Sequence, residues 1–407
     1  MTYWGVNAIF LGIAVVVLAV AVLLRRPGRL FWGSLAGAAV LLVVLTAVFD
    51  NVMIASGIMT YTEQNISGVR IGLAPLEDFA YPVAGVLLLP ALWLLLGRER
   101  EGAASSPGPV VPRRGVDVLT RLFWASRPLS WVNTAYPFAA AALLTGGLPW
   151  WLVVLGTVFF LVPYNLAMYG INDVFDYESD LRNPRKGGVE GAVVDRAAQR
   201  SVLLAACLLP VPFVLVLAGW GVATGNWVSP AVLAVSLFAV VAYSWAGLRF
   251  KERPFLDAMT SATHFVSPAV YGLALAGAEF TGGLWALLAG FFLWGMASQM
   301  FGAVQDVVPD REGGLGSVAT VLGARPTVWL SAGLYALAGI LMLCTEWPGQ
   351  LAALLAVPYL LNALRFRGVT DADSGRANAG WRTFLWLNYL TGFLVTMLLI
   401  WWSQVRG

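Results

Sequence analysis

The sequence predicts an all-α polytopic membrane protein with about twelve transmembrane helices, arranged as three plus nine. Of the 407 residues, 59% are hydrophobic and only 12% are charged, with a mean hydropathy of +0.76. A soluble domain is about 45–50% apolar and about 25% charged, so a soluble globular fold, a disordered chain and a coiled coil are all excluded. Apolar runs recur near 4–24, 31–50, 79–97, 130–147, 150–171, 200–221, 228–247, 259–277, 283–303, 327–344, 348–364 and 382–402. Each is close to the roughly 20 residues that cross a hydrocarbon core about 30 Å thick. Finally, the cations alternate: 23 of the 25 Lys and Arg residues follow odd-numbered spans, leaving Arg70 and Arg406 opposite. Since loops rich in Lys and Arg stay on the cytoplasmic side, both termini are expected outside.

Taken in order, the first span is followed by Arg25-Arg26 and lacks a basic leader and a small-residue cleavage site, so it reads as a helix, not a signal peptide. Residues 1–98 form a three-helix unit. Residues 99–120 are rich in Pro, Gly, Ser and charge, and read as a cytoplasmic linker. Residues 121–407 hold the nine remaining spans. The two cysteines, Cys207 and Cys344, are isolated and match neither a disulfide framework nor a metal spacing. A net charge of +3, spread over short loops, gives no reason to expect nucleic acid as a partner.

Scarce acids stand at two equivalent places in the nine-helix part. Asn172-Asp173-Val174-Phe175-Asp176-Tyr177-Glu178-Ser179-Asp180 follows its second span, with aspartates at i, i+3 and i+7 that share one face if the helix continues. Asp306 and Asp310 follow its sixth span at i, i+4. Acids in loops are commonly just solvated, but two clusters four helices apart suggest related bundles around one cavity. Facing carboxylates suit Mg²⁺, which binds one or two carboxylates together with substrate phosphate oxygens. Cations for a diphosphate would come from Arg182, Arg185 and Lys186 and from Arg249, Lys251 and Arg253; these two loops hold the only lysines. The aromatic residues Phe159, Phe160, Tyr164, Tyr169, Phe292 and Trp294 could face a carbocation or simply pack. The single histidine, His264, lies in an apolar run and is given no role.

These motifs, with Tyr243-Ser244 and Lys251-Glu252-Arg253-Pro254, resemble the UbiA family of intramembrane prenyltransferases over about 120–402. Gln305 departs from the Lys that many relatives carry before the second acidic pair. The resemblance implies transfer of an isoprenyl group from an allylic diphosphate to an apolar acceptor. Mg²⁺ would be held by Asn172, Asp173, Asp176, Asp180, Asp306 and Asp310, and the two cationic loops would bind the diphosphate.

The three-helix part has its own acids: Asp50 at the end of the second span, and Glu77 and Asp78 where the third begins. An acid kept protonated by burial can serve as a general acid, although acids also favour exposed helix N-termini. Asp50, Gly57, Tyr61, Gly72 and Pro75-Leu76-Glu77-Asp78-Phe79 resemble the membrane-type lycopene cyclases over about 30–98. That family uses two such three-helix repeats, so the resemblance implies a second cyclase subunit as partner, with Glu77, Asp78 and Asp50 catalytic.

Together the two resemblances imply a lycopene elongase fused to one subunit of a C50 carotenoid cyclase, working in the bacterial cytoplasmic membrane. Dimethylallyl diphosphate would be the donor, lycopene the acceptor and Mg²⁺ the cofactor. Two alternatives stay open: a UbiA-type enzyme acting on a quinone precursor or lipid, and a non-catalytic membrane scaffold or transporter.

Overall fold

A computed structural model describes residues 3–55, 57, 59–96, 114–175 and 196–406. The chain divides into two compact units, Met1–Val110 and Val111–Gly407. Seven helical stretches among the described residues are long and apolar enough to cross a membrane: Tyr3–Arg25, Arg29–Ala55, Leu76–Leu95, Trp150–Phe175, Gln199–Ala223, Gly282–Val304 and Ser374–Val405. The other five expected spans fall on helices that are shorter or less apolar.

In the first unit, α1 (Tyr3–Arg25) packs along α3 (Ala80–Leu96), and α2 (Arg29–Ala55) packs on α3 less extensively. Ala14, Ala21 and Ala91 are fully buried, as small residues are where membrane helices approach closely. Between α2 and α3 the chain forms a 3-10 turn, Glu63–Asn65, and a two-residue antiparallel hairpin, β1 (Arg70–Ile71) with β2 (Ala74–Pro75). A second 3-10 turn, Leu76–Phe79, then leads into α3. Asn51 docks the hairpin on α2. Its Nδ2 donates to the Ile71 and Ala47 carbonyls (2.9 and 2.7 Å), and its Oδ1 accepts from the Leu73 amide at 2.5 Å. Gly72 turns the hairpin with φ +68°, and a Cβ there would meet Asn51 Oδ1.

The second unit opens with α4 (Arg114–Ala125), which lies against the helices Pro163–Phe175 and Arg196–Leu208. This helix begins inside the stretch expected to be linker, because Val118 and Leu122, at i and i+4, share one apolar face that the Pro/Gly/Ser-rich context obscures. Next come α5 (Trp131–Thr145), α6 (Trp150–Leu161) and α7 (Pro163–Phe175). The α6–α7 break falls at Pro163, which has no amide hydrogen to continue the ladder. Buried Asn165 covers the freed groups, donating to the Phe160 and Leu161 carbonyls and to Thr134 Oγ1. Likewise α8 (Arg196–Leu208) and α9 (Pro210–Ala223) part at a proline.

The remaining elements are α10 (Val228–Ser244), α11 (Leu256–Leu275), α12 (Gly282–Val304), the short α13 (Val307–Glu312) and α14 (Val318–Leu322), α15 (Ala324–Met342), α16 (Ala352–Leu364) and α17 (Asn378–Arg406). Helix α11 is central and packs on α5, α10 and α12, while α12 packs on α15 and α15 on α16. Tyr136 on α5 bonds Thr396 on α17 at 2.7 Å, joining the first and last of these long helices.

Candidate functional site

Asn172 and Asp173 lie in the last turn of α7, and Asp306 closely follows α12. The loop 249–255 touches Asn172 on one side and the segment after Asp310 on the other. On the α7 side Asp173 is 1% exposed, and Arg127 Nη2 donates to its Oδ1 at 2.9 Å. The Arg127 guanidinium also lies 4.3 Å from the Tyr169 ring centre. Burying a carboxylate is costly unless a cation compensates it, and Arg127 supplies one from a left-handed backbone, φ +50°. Asn172 Oδ1 accepts from Ser244 Oγ (2.9 Å) and Lys251 Nζ (3.2 Å), tying the cationic loop to the first motif. Within that loop Arg249 pairs with Glu252, and Arg253 lies 5.7 Å from the Phe250 ring centre. Arg249 and Phe255 also have positive φ, so three of the four such non-glycine residues among those described flank the site. Strain of this kind concentrates where surrounding structure holds a functional geometry.

On the α12 side Asp306 precedes α13, and Asp310 lies within it, its amide donating to the Asp306 carbonyl at 2.9 Å. The following segment closes on the cationic loop. Gly316 packs so tightly on the Glu252 carbonyl that a Cβ would stand 2.3 Å away. Buried Asp257, at the start of α11, accepts from the Val318 amide at 3.5 Å. Gln305 is held internally, donating to the Gly302 carbonyl (3.0 Å) and accepting from Asn378 Nδ2 (2.6 Å).

Of the expected residues, Asn172 and Lys251 are in direct contact, and Arg249 and Arg253 share the Lys251 loop. Asp306 and Asp310 meet that region through the segment that follows them, at Gly316 and Val318. Among the described residues no three acids stand close enough to hold a metal ion. Asp176, Asp180, Arg182, Arg185 and Lys186 lie outside the described residues. The aromatic expectation divides. Phe159, Phe160 and Tyr164 are fully buried against each other and form core. Trp294 packs on Tyr359 and Phe384, while Phe292 lines an apolar cavity of about 580 Å³ between α10, α11 and α12. His264 is buried edge-on to Tyr243, with ring centroids 5.3 Å apart. Sequence reading missed Arg127, counting it only as an orientation charge; the Arg-Pro step at the mouth of a span was the available signal.

In the first unit the three expected acids take different surroundings. Glu77 is 3% exposed, and its Oε1 accepts from the Ser67 amide at 2.5 Å while Asn7 binds its carbonyl at 2.8 Å. Asp78 is half-buried and accepts from Tyr61 Oη at 2.5 Å. Asp50 is buried and electrostatically coupled to Asp78. Burial, followed by the Asp78 hydrogen bond and the charges of Asp78 and Asp50, pushes the Tyr61 hydroxyl above its ordinary value of 10.0, keeping it a donor.

A helical membrane bundle with acids at two helix ends and a cationic loop against one of them is matched by a known class, the intramembrane prenyltransferases. Residues 134–403 match the UbiA prenyltransferase family, to which the chain belongs, and residues 1–96 match the lycopene cyclase family. The chain is 52% identical to the "C(50) beta-cyclic carotenoids biosynthesis protein LbtBC" of Dietzia sp. (strain CQ4), over 96% of each chain. It is also 52% identical to a lycopene elongase/hydratase of Corynebacterium glutamicum, over 68% of this chain and 95% of that one. A UbiA homologue of Archaeoglobus fulgidus, solved with DMAPP and Mg²⁺, shares the fold at a TM-score of 0.50 and 19% identity, over 67% of this chain and 98% of the other. The chain is therefore an integral membrane enzyme with prenyltransferase activity.

Proposed function

We propose that this chain transfers C5 units from dimethylallyl diphosphate to the ends of lycopene and contributes one subunit of a C50 carotenoid cyclase. The observation that carries the reading is the union of a prenyltransferase site with a cyclase-like acid cluster in one chain. The full-length relative named for C50 carotenoid biosynthesis supports it. The cyclase-like unit is residues 1–98 and the prenyltransferase unit 121–407, with the last part of the 99–120 linker already in α4, and a second cyclase subunit supplies the missing repeat.

The donor set near α7 and α12 is all oxygen and strongly acidic, which fits Mg²⁺. Asp306 and Asp310, with Asp176 and Asp180, would hold it. Asp173, whose Oδ1 is paired with Arg127, would contribute only through its second oxygen, and Asn172 would stand at the rim and orient Lys251. When bound, Mg²⁺ neutralises charge that develops on the departing diphosphate. The chain's own cations, Arg249, Lys251 and Arg253 with Arg182, Arg185 and Lys186, bind the phosphate oxygens and stabilise that charge at preset positions. The allylic C–O bond breaks, the allylic carbon bonds to a terminal alkene carbon of lycopene, and a proton leaves. This site faces the cytoplasm, the side to which 23 of the 25 cations point.

In the first unit we assign the proton that starts ring closure to Asp78, with Asp50 beside it and Tyr61 fixing its orientation. Glu77, tied to the Ser67 amide, fastens the loop over the cluster.

Expression in lycopene-producing cells tests the reading. The expected products are carotenoids heavier by C5 units, lost with Asp173→Asn. Unchanged lycopene beside a prenylated quinone would sink the carotenoid assignment, and transport without covalent change would favour a carrier.

A further inference from the structure

The second acidic motif is bracketed by one distant stretch, residues 371–378, which leads from the loop after α16 into the first residue of α17. On one side Asn378 Nδ2 donates to Gln305 Oε1 at 2.6 Å. On the other, Arg311 Nη1 donates to Asp371 Oδ2 at 2.5 Å, and Arg311 Nε to the Thr320 carbonyl at 2.8 Å. The second oxygen of Asp371 accepts from the Ala324 amide at 2.6 Å, in the first turn of α15. Gly323 leaves room for this: a Cβ there would press on Asp371 Oδ1 at 3.0 Å.

We propose that Asp371 is a positioning residue for the second acidic cluster, holding the Arg311 guanidinium away from the cation site that Asp306 and Asp310 furnish. This rests on reading those two carboxylates as Mg²⁺-holding. Arg311 directly follows Asp310, and its long stem lets the guanidinium reach neighbouring acids. A guanidinium swung toward Asp310 competes with a divalent cation for the same charge. Both partners of the Arg311–Asp371 pair are about two-fifths exposed, so the pair adds little stability. Its contribution is placement. The Ala324 amide and then Arg311 hold the Asp371 carboxyl below its ordinary value of 3.8, which keeps the pair charged in mild acid.

The test uses full-length protein in nanodiscs, with Mn²⁺ affinity read by electron paramagnetic resonance in the presence of inorganic pyrophosphate. Asp371→Asn keeps an acceptor for the Ala324 amide but gives up the charge, and should weaken Mn²⁺ binding by about tenfold. Asp371→Ala should do the same. Arg311→Gln alone should bind like the parent, and the Asp371→Asn, Arg311→Gln double variant should return to within about twofold of it. Parent-like binding by Asp371→Asn, or a double variant as weak as the single one, overturns the proposal and leaves Asp371 as a helix cap. A parent chain that binds no Mn²⁺ overturns the Mg²⁺ reading itself, a different failure.

Discussion

Gly316 is where the segment after the second acidic pair meets the cationic loop, the junction of the two halves in the proposed site, and its replacement by Ala gives a change of known size. The added Cβ would stand 2.3 Å from the Glu252 carbonyl oxygen and 3.3 Å from its carbon, whereas contacts under 3.0 Å are essentially never found. Both neighbours are backbone, so no side chain can swing aside. One loop must retreat by about 0.7 Å, and a displacement near 1 Å in a positioned site costs about a hundredfold in rate. The retreat separates Lys251 and its partner Asn172 from the segment that follows Asp310. We expect kcat/KM for prenyl transfer to fall between about tenfold and a hundredfold, with helix content unchanged. The assay is conversion of lycopene by membranes supplied with dimethylallyl diphosphate, with circular dichroism on the same samples. Gly333→Ala is the control, since a Cβ there meets nothing within 4 Å. Parent-like kinetics for Gly316→Ala would refute the claim that the two loops form one site.

Other substitutions separate the remaining parts. Arg127→Ala strips the cation from a buried carboxylate, a change that costs about 3–5 kcal/mol; thermal unfolding should show a large loss, with Arg127→Lys recovering part of it. Gly72→Ala puts a Cβ on a left-handed backbone and against Asn51, so the hairpin should leave α2. Cyclic product should then disappear on co-expression with a partner subunit while elongation continues; loss of both activities would contradict the division of labour. Tyr61→Phe removes the hydroxyl that orients the Asp78 carboxyl and should slow cyclisation by roughly five- to tenfold, for a neutral hydrogen bond of about 1–1.5 kcal/mol. Because the Asp371 carboxyl sits below 3.8, its stabilising contribution is present above that pH and is lost as pH falls through the depressed value. The pair is half-exposed, so the melting-temperature gap between parent and Asp371→Asn should be small at neutral pH, and it should vanish in acid below 3.8.

What the sequence made legible was whatever repeats or clusters locally. Long apolar runs marked the spans, and the alternation of cations kept their order consistent. The acids at 172–180 and 306–310 stood out because carboxylates beside apolar helices are rare. Two prolines, Pro163 and Pro210, were visible inside runs read as continuous, and each ends up starting a new helix. The positioning contacts were not legible. Asp371 reaches Arg311 across 60 residues, and Arg127 reaches Asp173 across 46. No periodicity records such pairs, and a cationic loop residue looks the same whether it orients a helix or neutralises a buried acid. The roles of Glu77 and Asp78, adjacent and both acidic, separate only when Ser67 and Tyr61 are seen to take one each.

The most direct measurement is made on proteoliposomes that hold only the purified chain, lycopene, Mg²⁺ and isotopically labelled dimethylallyl diphosphate. The expected result is label in C45 and then C50 carotenoids, with one pyrophosphate released for each unit added. Pyrophosphate released while lycopene stays unlabelled would contradict the assignment of acceptor and reaction.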